Sequence, residues 1–155
     1  MPAQSTSFHG TCVALGEVAL LLRGASGAGK SDLAYRFLHL PQGERTTAPI
    51  LVADDQVVMT RDGDRIYVAP PPAIAGKLEL RGIGILDLPY LNKASLRLVV
   101  DLCQPEEIER LPDWTDRAEY LGIELPLIRL SPFQTSAALK LRSALDMSGK
   151  EFSSD

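Results

Sequence analysis

Hydrophobic positions in this chain come in short blocks, and the spacing inside each block separates strand from helix. Residues 8–15 are apolar and β-leaning, and Gly16-Glu17 can turn the chain after them. Val18-Ala19-Leu20-Leu21-Leu22 is a continuous apolar run, the pattern of a buried strand. From Ser31 the period changes. Leu33, Ala34, Phe37 and Leu38 recur at i, i+3, i+4 spacing and predict a helix, stopped by Pro41-Gln42-Gly43. Residues 42–49 are polar and end in a proline, so they predict a loop. Ile50-Leu51-Val52-Ala53 predicts the next buried strand, ending at Asp54-Asp55. Val57-Val58-Met59 and Ile66-Tyr67-Val68 flank Asp62-Gly63, a hairpin signal.

Pro70-Pro71-Pro72 breaks the chain, and residues 78–88 form a mixed segment interrupted by Gly82 and Gly84. Residues 96–102 predict another strand and residues 106–111 a short helix. Residues 123–130 alternate as a strand does, with Pro126 favouring a sheet edge or a bulge. Thr135 or Ser136 can cap a last helix whose apolar face is Ala138, Leu141 and Leu145. Residues 148–155 read as a frayed, disordered tail. Strands outnumber helices and no internal repeat is visible, so the predicted sheet is mixed rather than purely parallel and doubly wound.

Composition narrows the classes. A chain of 155 residues with 45% hydrophobic content suits one domain, placed at residues 1–147. A net charge of -4 argues against nucleic acid as partner, which usually meets a basic patch. Cys12 and Cys103 lie far apart without metal-ligand spacing, so two buried, reduced thiols are expected. The N-terminal stretch lacks a basic region followed by an apolar run, and no apolar stretch reaches the ~20 residues that span a bilayer. The expectation is a cytoplasmic protein without membrane contact.

The chemistry begins at Gly24-Ala25-Ser26-Gly27-Ala28-Gly29-Lys30-Ser31, which fills the P-loop pattern G-x-x-x-x-G-K-[ST] between a predicted strand and a predicted helix. The glycines let the backbone turn with positive φ and bring N–H groups to phosphate oxygens. The helix start adds its positive end to the same anion. Lys30 supplies a point charge to the β/γ-phosphates, and the Ser31 hydroxyl is placed to ligate Mg²⁺. The bland alternative is a glycine-rich turn that merely joins strand to helix.

Carboxylates supply the second element. Asp54-Asp55 closes an apolar strand, where P-loop proteins keep an acid that supports the metal. Neighbouring strand residues face opposite ways, so the two carboxylates should divide the work. One can support Mg²⁺ and the other accept a proton from an incoming hydroxyl; the alternative is a solvated turn. Glu79 and Arg81 share a face opposite Leu78 and Leu80. They read either as a surface ion pair or, given Gly82 and Gly84, as backbone packed closely against something. A lone His9 before Gly10 carries no functional signal by itself.

Together these segments resemble the catalytic domain of the HPr kinase/phosphorylase family, over residues 7–130 and in the family's order. His9-Gly10 resembles the His-Gly ahead of the family's P-loop. Val52-Ala53-Asp54-Asp55 resembles its Val-Ala-Asp-Asp element, and Ala69-Pro70-Pro71 its Ala-Pro. Residues 78–85 resemble its Leu-Glu-Ile-Arg-Gly-Leu-Gly-Ile signature. The resemblance implies a single P-loop α/β domain with a mixed, strand-rich sheet and few helices, similar to the phosphoenolpyruvate carboxykinase nucleotide-binding fold. It implies an ATP- and Mg²⁺-dependent kinase that phosphorylates a serine of HPr, a phosphocarrier of the sugar phosphotransferase system, and in many members reverses this by phosphorolysis. Asp55 would be the general base in the forward direction and the acid in reverse, with Lys30 and His9 assisting at the phosphoryl group. Ser31 and Glu79 would hold Mg²⁺, with Asp54 in support.

The resemblance also implies a homo-oligomer, commonly a hexamer. The chain is similar to the short, alphaproteobacterial form that begins near the His-Gly pair. It departs from the family in a late loop, Pro-Val-Arg-Pro-Gly-Arg-Asn, whose place is taken by residues 130–136 (Leu-Ser-Pro-Phe-Gln-Thr-Ser) without either arginine. Arg117 is the candidate to stand in for a catalytic arginine. Two other functions fit a P-loop chain: a small-molecule kinase, and a nucleotide-sensing binding module without catalysis.

Overall fold

The strands send alternate side chains to two surfaces, and each surface packs into its own core. The computed structural model describes residues 5–45 and 47–153. Residues 1–4 of the N-terminal stretch, and 154–155 of the expected tail, lie outside these. Among the described residues the strands are β1 (Ser5–His9), β2 (Thr11–Leu15), β3 (Val18–Arg23), β4 (Pro49–Ala53), β5 (Gln56–Asp62), β6 (Arg65–Ala69), β7 (Lys77–Leu80), β8 (Gly84–Asp87), β9 (Ala94–Leu102), β10 (Arg117–Tyr120) and β11 (Ile123–Leu130). Two helices, α1 (Lys30–Leu38) and α2 (Ala137–Ser153), complete the set.

Nine strands form one mixed sheet in the order β1-β5-β6-β9-β3-β2-β4, with β11 pairing β9 and β10 pairing β11; β7 and β8 form a separate hairpin. Parallel pairs β3·β9 and β9·β11 sit at its centre, and the remaining pairs of the sheet are antiparallel. The ladder curls on itself. β1 and β2 are one chain segment broken at Gly10, and β4 and β5 are one segment broken at Asp54-Asp55. The first segment pairs with the second on both sides of the two breaks. The expected strand over residues 8–15 is therefore split where the site forms.

Period-two alternation sends side chains to two cores. Leu20 and Leu22 of β3 join Leu98 and Val100 of β9 beneath α1 and α2, while Ala19, Leu21 and Val99 face the interior of the curl. Leu96 faces the curl and Leu98 the helices because the β3·β9 register shifts between Ala19 and Leu20, which makes Arg97 an extra residue. The helix stripes match the periodicity: Leu33, Ala34 and Phe37 on α1, and Leu141 and Leu145 on α2, are buried. No helix among the described residues is long and apolar enough to cross a membrane.

Four expectations change. Residues 106–111 are not a helix; only Pro105–Glu107 forms a single 3₁₀ turn. Glu107 is occupied in bonding the Gln104 N–H at 3.0 Å, and Leu111 is exposed, so no apolar face sustains a helix there. β10 was not expected, because Arg117-Ala118-Glu119-Tyr120 is short and rich in poor strand formers; its Ala118 and Tyr120 are nevertheless buried. The helix expected to end before residue 148 runs to Ser153, and Ser148 is buried with its Oγ donating to the Leu145 carbonyl at 2.7 Å. Of the two expected buried thiols, Cys12 is buried and Cys103 only half-buried; both are free.

Candidate phosphate and carboxylate site

β3 delivers the chain into the P-loop and α1 takes it out. The last turn before the helix is made at Gly29, whose φ of +98° falls in the left-handed region that favours glycine. A Cβ there would meet Pro132 and Phe133 at 3.3 Å, a tight contact that adds to the strain a side chain would suffer at this φ. Lys30 begins α1 and is buried, with Nζ donating to the carbonyls of Gly24 at 2.6 Å and Ala25 at 3.0 Å. The ammonium group is thereby held at the inner curve of the loop. Arg23, the residue before the loop, makes a two-pronged ion pair with Asp101 at 2.6 and 2.9 Å, tying the ends of β3 and β9 together. That hydrogen-bonded carboxylate raises the guanidinium pKa above its ordinary value.

Asp54 and Asp55 diverge, as expected, but at a bend between β4 and β5 rather than along a strand. Asp54 is buried, and its carboxylate accepts three hydrogen bonds. Oδ1 accepts from Ser31 Oγ at 2.6 Å and Thr11 Oγ1 at 2.9 Å, and Oδ2 from the Glu79 N–H at 3.1 Å. One carboxylate thus joins the P-loop helix, the break between β1 and β2, and the β7·β8 hairpin. No buried side-chain nitrogen or oxygen among the described residues lacks a partner. Asp55 points out, with 70% of its side chain exposed, and its Oδ1 lies 3.0 Å from His9 Nε2. Its φ of +70° is unusual for a non-glycine residue. The strained conformation is held by two main-chain bonds: Gly10 N–H donates to the Asp55 carbonyl at 3.0 Å, and Gln56 N–H to the Asp54 carbonyl at 2.8 Å.

Ser26, Gly27, Lys30, Ser31, Asp54, Asp55 and Glu79 line one open cavity of about 550 Å³. His9 reaches its edge through Asp55. Arg117 is not brought there: it starts β10, and its Nη1 donates to the carbonyls of Trp114 and Asp116 at 2.7 and 2.9 Å. Glu79 and Arg81 do not form the surface ion pair that was one of their two readings; Glu79 packs its backbone against Asp54 instead. Thr11 was missed by sequence reasoning. Its one signal is a hydroxyl in an otherwise apolar, wholly buried strand.

Whether a magnesium ion suits these groups depends on donor chemistry. Among the described residues no three His, Cys, Asp or Glu side chains cluster as a self-sufficient cage. Mg²⁺ beside phosphates does not need one, since it takes one or two carboxylates, a hydroxyl, water and phosphate oxygens. Ser31, Asp54 and Glu79 around one cavity fit that pattern.

A strand, a glycine loop and a helix, facing one buried and one exposed carboxylate on a curled mixed sheet, define a P-loop nucleotide-binding domain of the kinase type. The family model described as "HPr Serine kinase C-terminal domain" matches residues 2–141, so the chain belongs to that family. Relatives named HPr kinase/phosphorylase include one from Prosthecochloris aestuarii, 34% identical over 83% of this chain and 39% of its own length. Another, from Streptococcus thermophilus, is 33% identical over 83% of this chain and 43% of its own length. The chain thus spans about two-fifths of the curated relatives it matches. Among solved structures, the Hpr(Ser) kinase/phosphatase from Coxiella burnetii superposes with a TM-score of 0.78 over 96% of this chain and 99% of its own, at 20% identity, and so shares the fold.

Proposed function

We propose that this domain transfers the γ-phosphoryl group of ATP to a serine hydroxyl on an HPr-like phosphocarrier protein. The observation that carries the proposal is the division of labour at Asp54-Asp55. Asp54 is locked among three donors, while Asp55 is free to the front, exposed and paired with His9 beside the P-loop.

In this mechanism the loop amides and the N-terminus of α1 seat the phosphates. Lys30 leaves its resting carbonyls and takes up negative charge on the transferring group. Asp55 Oδ accepts the serine proton as the oxygen attacks in line, and His9 orients that carboxylate. Ser31 and Glu79 would hold Mg²⁺, with Asp54 in support, and the ion would supply neutralisation of phosphate charge. In the reverse direction Asp55 would return the proton as an acid. The exposure of Asp55 favours a protein acceptor over a small metabolite. An open base gains its water-free setting only when a large partner covers it. The proposal extends to a cytoplasmic setting, where ATP is available, and to a homo-oligomer of hexameric type, which light scattering on the purified chain would read.

The test is incubation with ATP-Mg²⁺ and an HPr protein, followed by mass spectrometry. The expected product is one phosphoserine, and its absence would sink the proposal. Asp55→Asn should lower kcat by ~10²–10⁴-fold while leaving ATP binding in place, because an amide cannot accept the proton. An Asn variant with undiminished kcat would remove Asp55 from the role of base.

A further inference from the structure

A cation that none of these roles uses stands over the phosphate loop. Arg81 lies in the tight turn between β7 and β8, where the Ile83 N–H bonds the Leu80 carbonyl at 3.0 Å and Gly82 has a φ of +86°. The turn folds Arg81 back over the P-loop, so that a Cβ added at Gly27 would lie 3.4 Å from its Nη2. The guanidinium lines the same cavity as Lys30, Ser31 and Asp55. Asp54, Asp55 and Glu79 all border that cavity, yet among the described residues none pairs with Arg81, and no hydrogen bond holds its side chain. Asp54 accepts from three other donors, Asp55 is engaged by His9, and Glu79 stands on β7 before the turn that carries Arg81. The hairpin that carries it is anchored: Leu78 is fully buried and the Glu79 N–H is bonded to Asp54. A planar fork of donors is therefore delivered to the mouth of an anion seat from a fixed base.

We infer that Arg81 is the phosphate-gripping arginine of this site. Its guanidinium forks onto oxygens of the terminal phosphate seated in the P-loop and takes up charge there as the phosphoryl group leaves. No proton moves through it; the serine proton goes to Asp55 as above. The catalytic half of this inference rests on the phosphotransfer proposal, whereas the anion-binding half stands by itself.

The test compares R81A and R81K with wild type in two assays: kcat for phosphoserine formation, and affinity for inorganic phosphate by calorimetry. Arg81 is exposed, so the fold should survive either change; R81K keeps the charge and loses the fork. Removing the guanidinium should lower kcat by ~10³-fold, within the range for arginines that stabilise phosphoryl transfer. Phosphate affinity should fall by about tenfold, the worth of one charge-assisted pair. R81K should fall between wild type and R81A in both assays. Guanidinium chloride below denaturing concentration should restore part of the R81A rate, and sodium chloride should not. Where wild type forms no phosphoserine, the transfer proposal fails and the calorimetry still reads Arg81. An R81A protein that binds inorganic phosphate as tightly as wild type overturns the inference in either case.

Discussion

Thr11 and Asp54 show how a single contact joins distant parts of the chain. The Thr11 hydroxyl donates to Asp54 Oδ1 and accepts the Asp55 N–H at 3.3 Å, so one buried side chain positions both members of the carboxylate pair. Thr11→Val preserves shape and removes both bonds, leaving a buried carboxylate short of a donor. Urea unfolding should show a loss of about 1–3 kcal/mol. At this scale the sequence was informative where chemistry is local. Gly24 to Ser31 are contiguous, and their geometry follows from their order. It was uninformative for His9, because a histidine in an edge strand has no function until Asp55 stands 3.0 Å away. Alternation led to the expectation that Asp54 and Asp55 would face apart; they do, through a bend with Asp55 at a φ of +70° rather than through a strand. Which of them would be buried depended on Ser31 and Thr11 meeting one of them.

Among elements, the β7·β8 hairpin links the two halves of the site, since it carries Glu79 and Arg81 and is tied to Asp54. Its base is closed where the Leu88 N–H bonds the Gly76 carbonyl at 2.8 Å. Gly76 has a φ of +77°, and a Cβ there would come within 2.9 Å of the Leu88 carbonyl, a backbone atom that cannot step aside. Gly76→Ala should therefore destabilise the domain by about 1–3 kcal/mol and loosen the hairpin. Thermal unfolding and faster amide exchange over residues 77–87 check this. Elements with strong periodicity were legible: β3, α1, β9 and the apolar face of α2. The misses share a cause. β10 is held by cross-strand bonds to β11 and by burial of Ala118 and Tyr120, none of which its four residues advertise. The expected helix over residues 106–111 had acceptable propensity and no surface to pack on.

For the molecule as a whole, stability and ligand binding should be coupled, because the site sits at the junction of three elements rather than on one loop. ATP with Mg²⁺ at a hundred times its Kd should add ~2.7 kcal/mol to the unfolding free energy. A thermal shift assay would record the rise in Tm, and EDTA should abolish most of it while leaving the ligand-free Tm unchanged. An ATP-induced rise in Tm that persists in EDTA would remove Mg²⁺ from the site. The sequence by itself determined the phosphate loop, the helix behind it and the strands that flank it, because those depend on order and period within a short segment. Only the tertiary structure decided that Gly10 and Asp54-Asp55 would break two strands side by side. The same is true of His9 meeting Asp55, of Arg81 hanging over Gly27, and of Arg117 staying away. The physical reason is that periodicity records which residues share a face, whereas pairing and burial between faces are settled by packing across tens of residues.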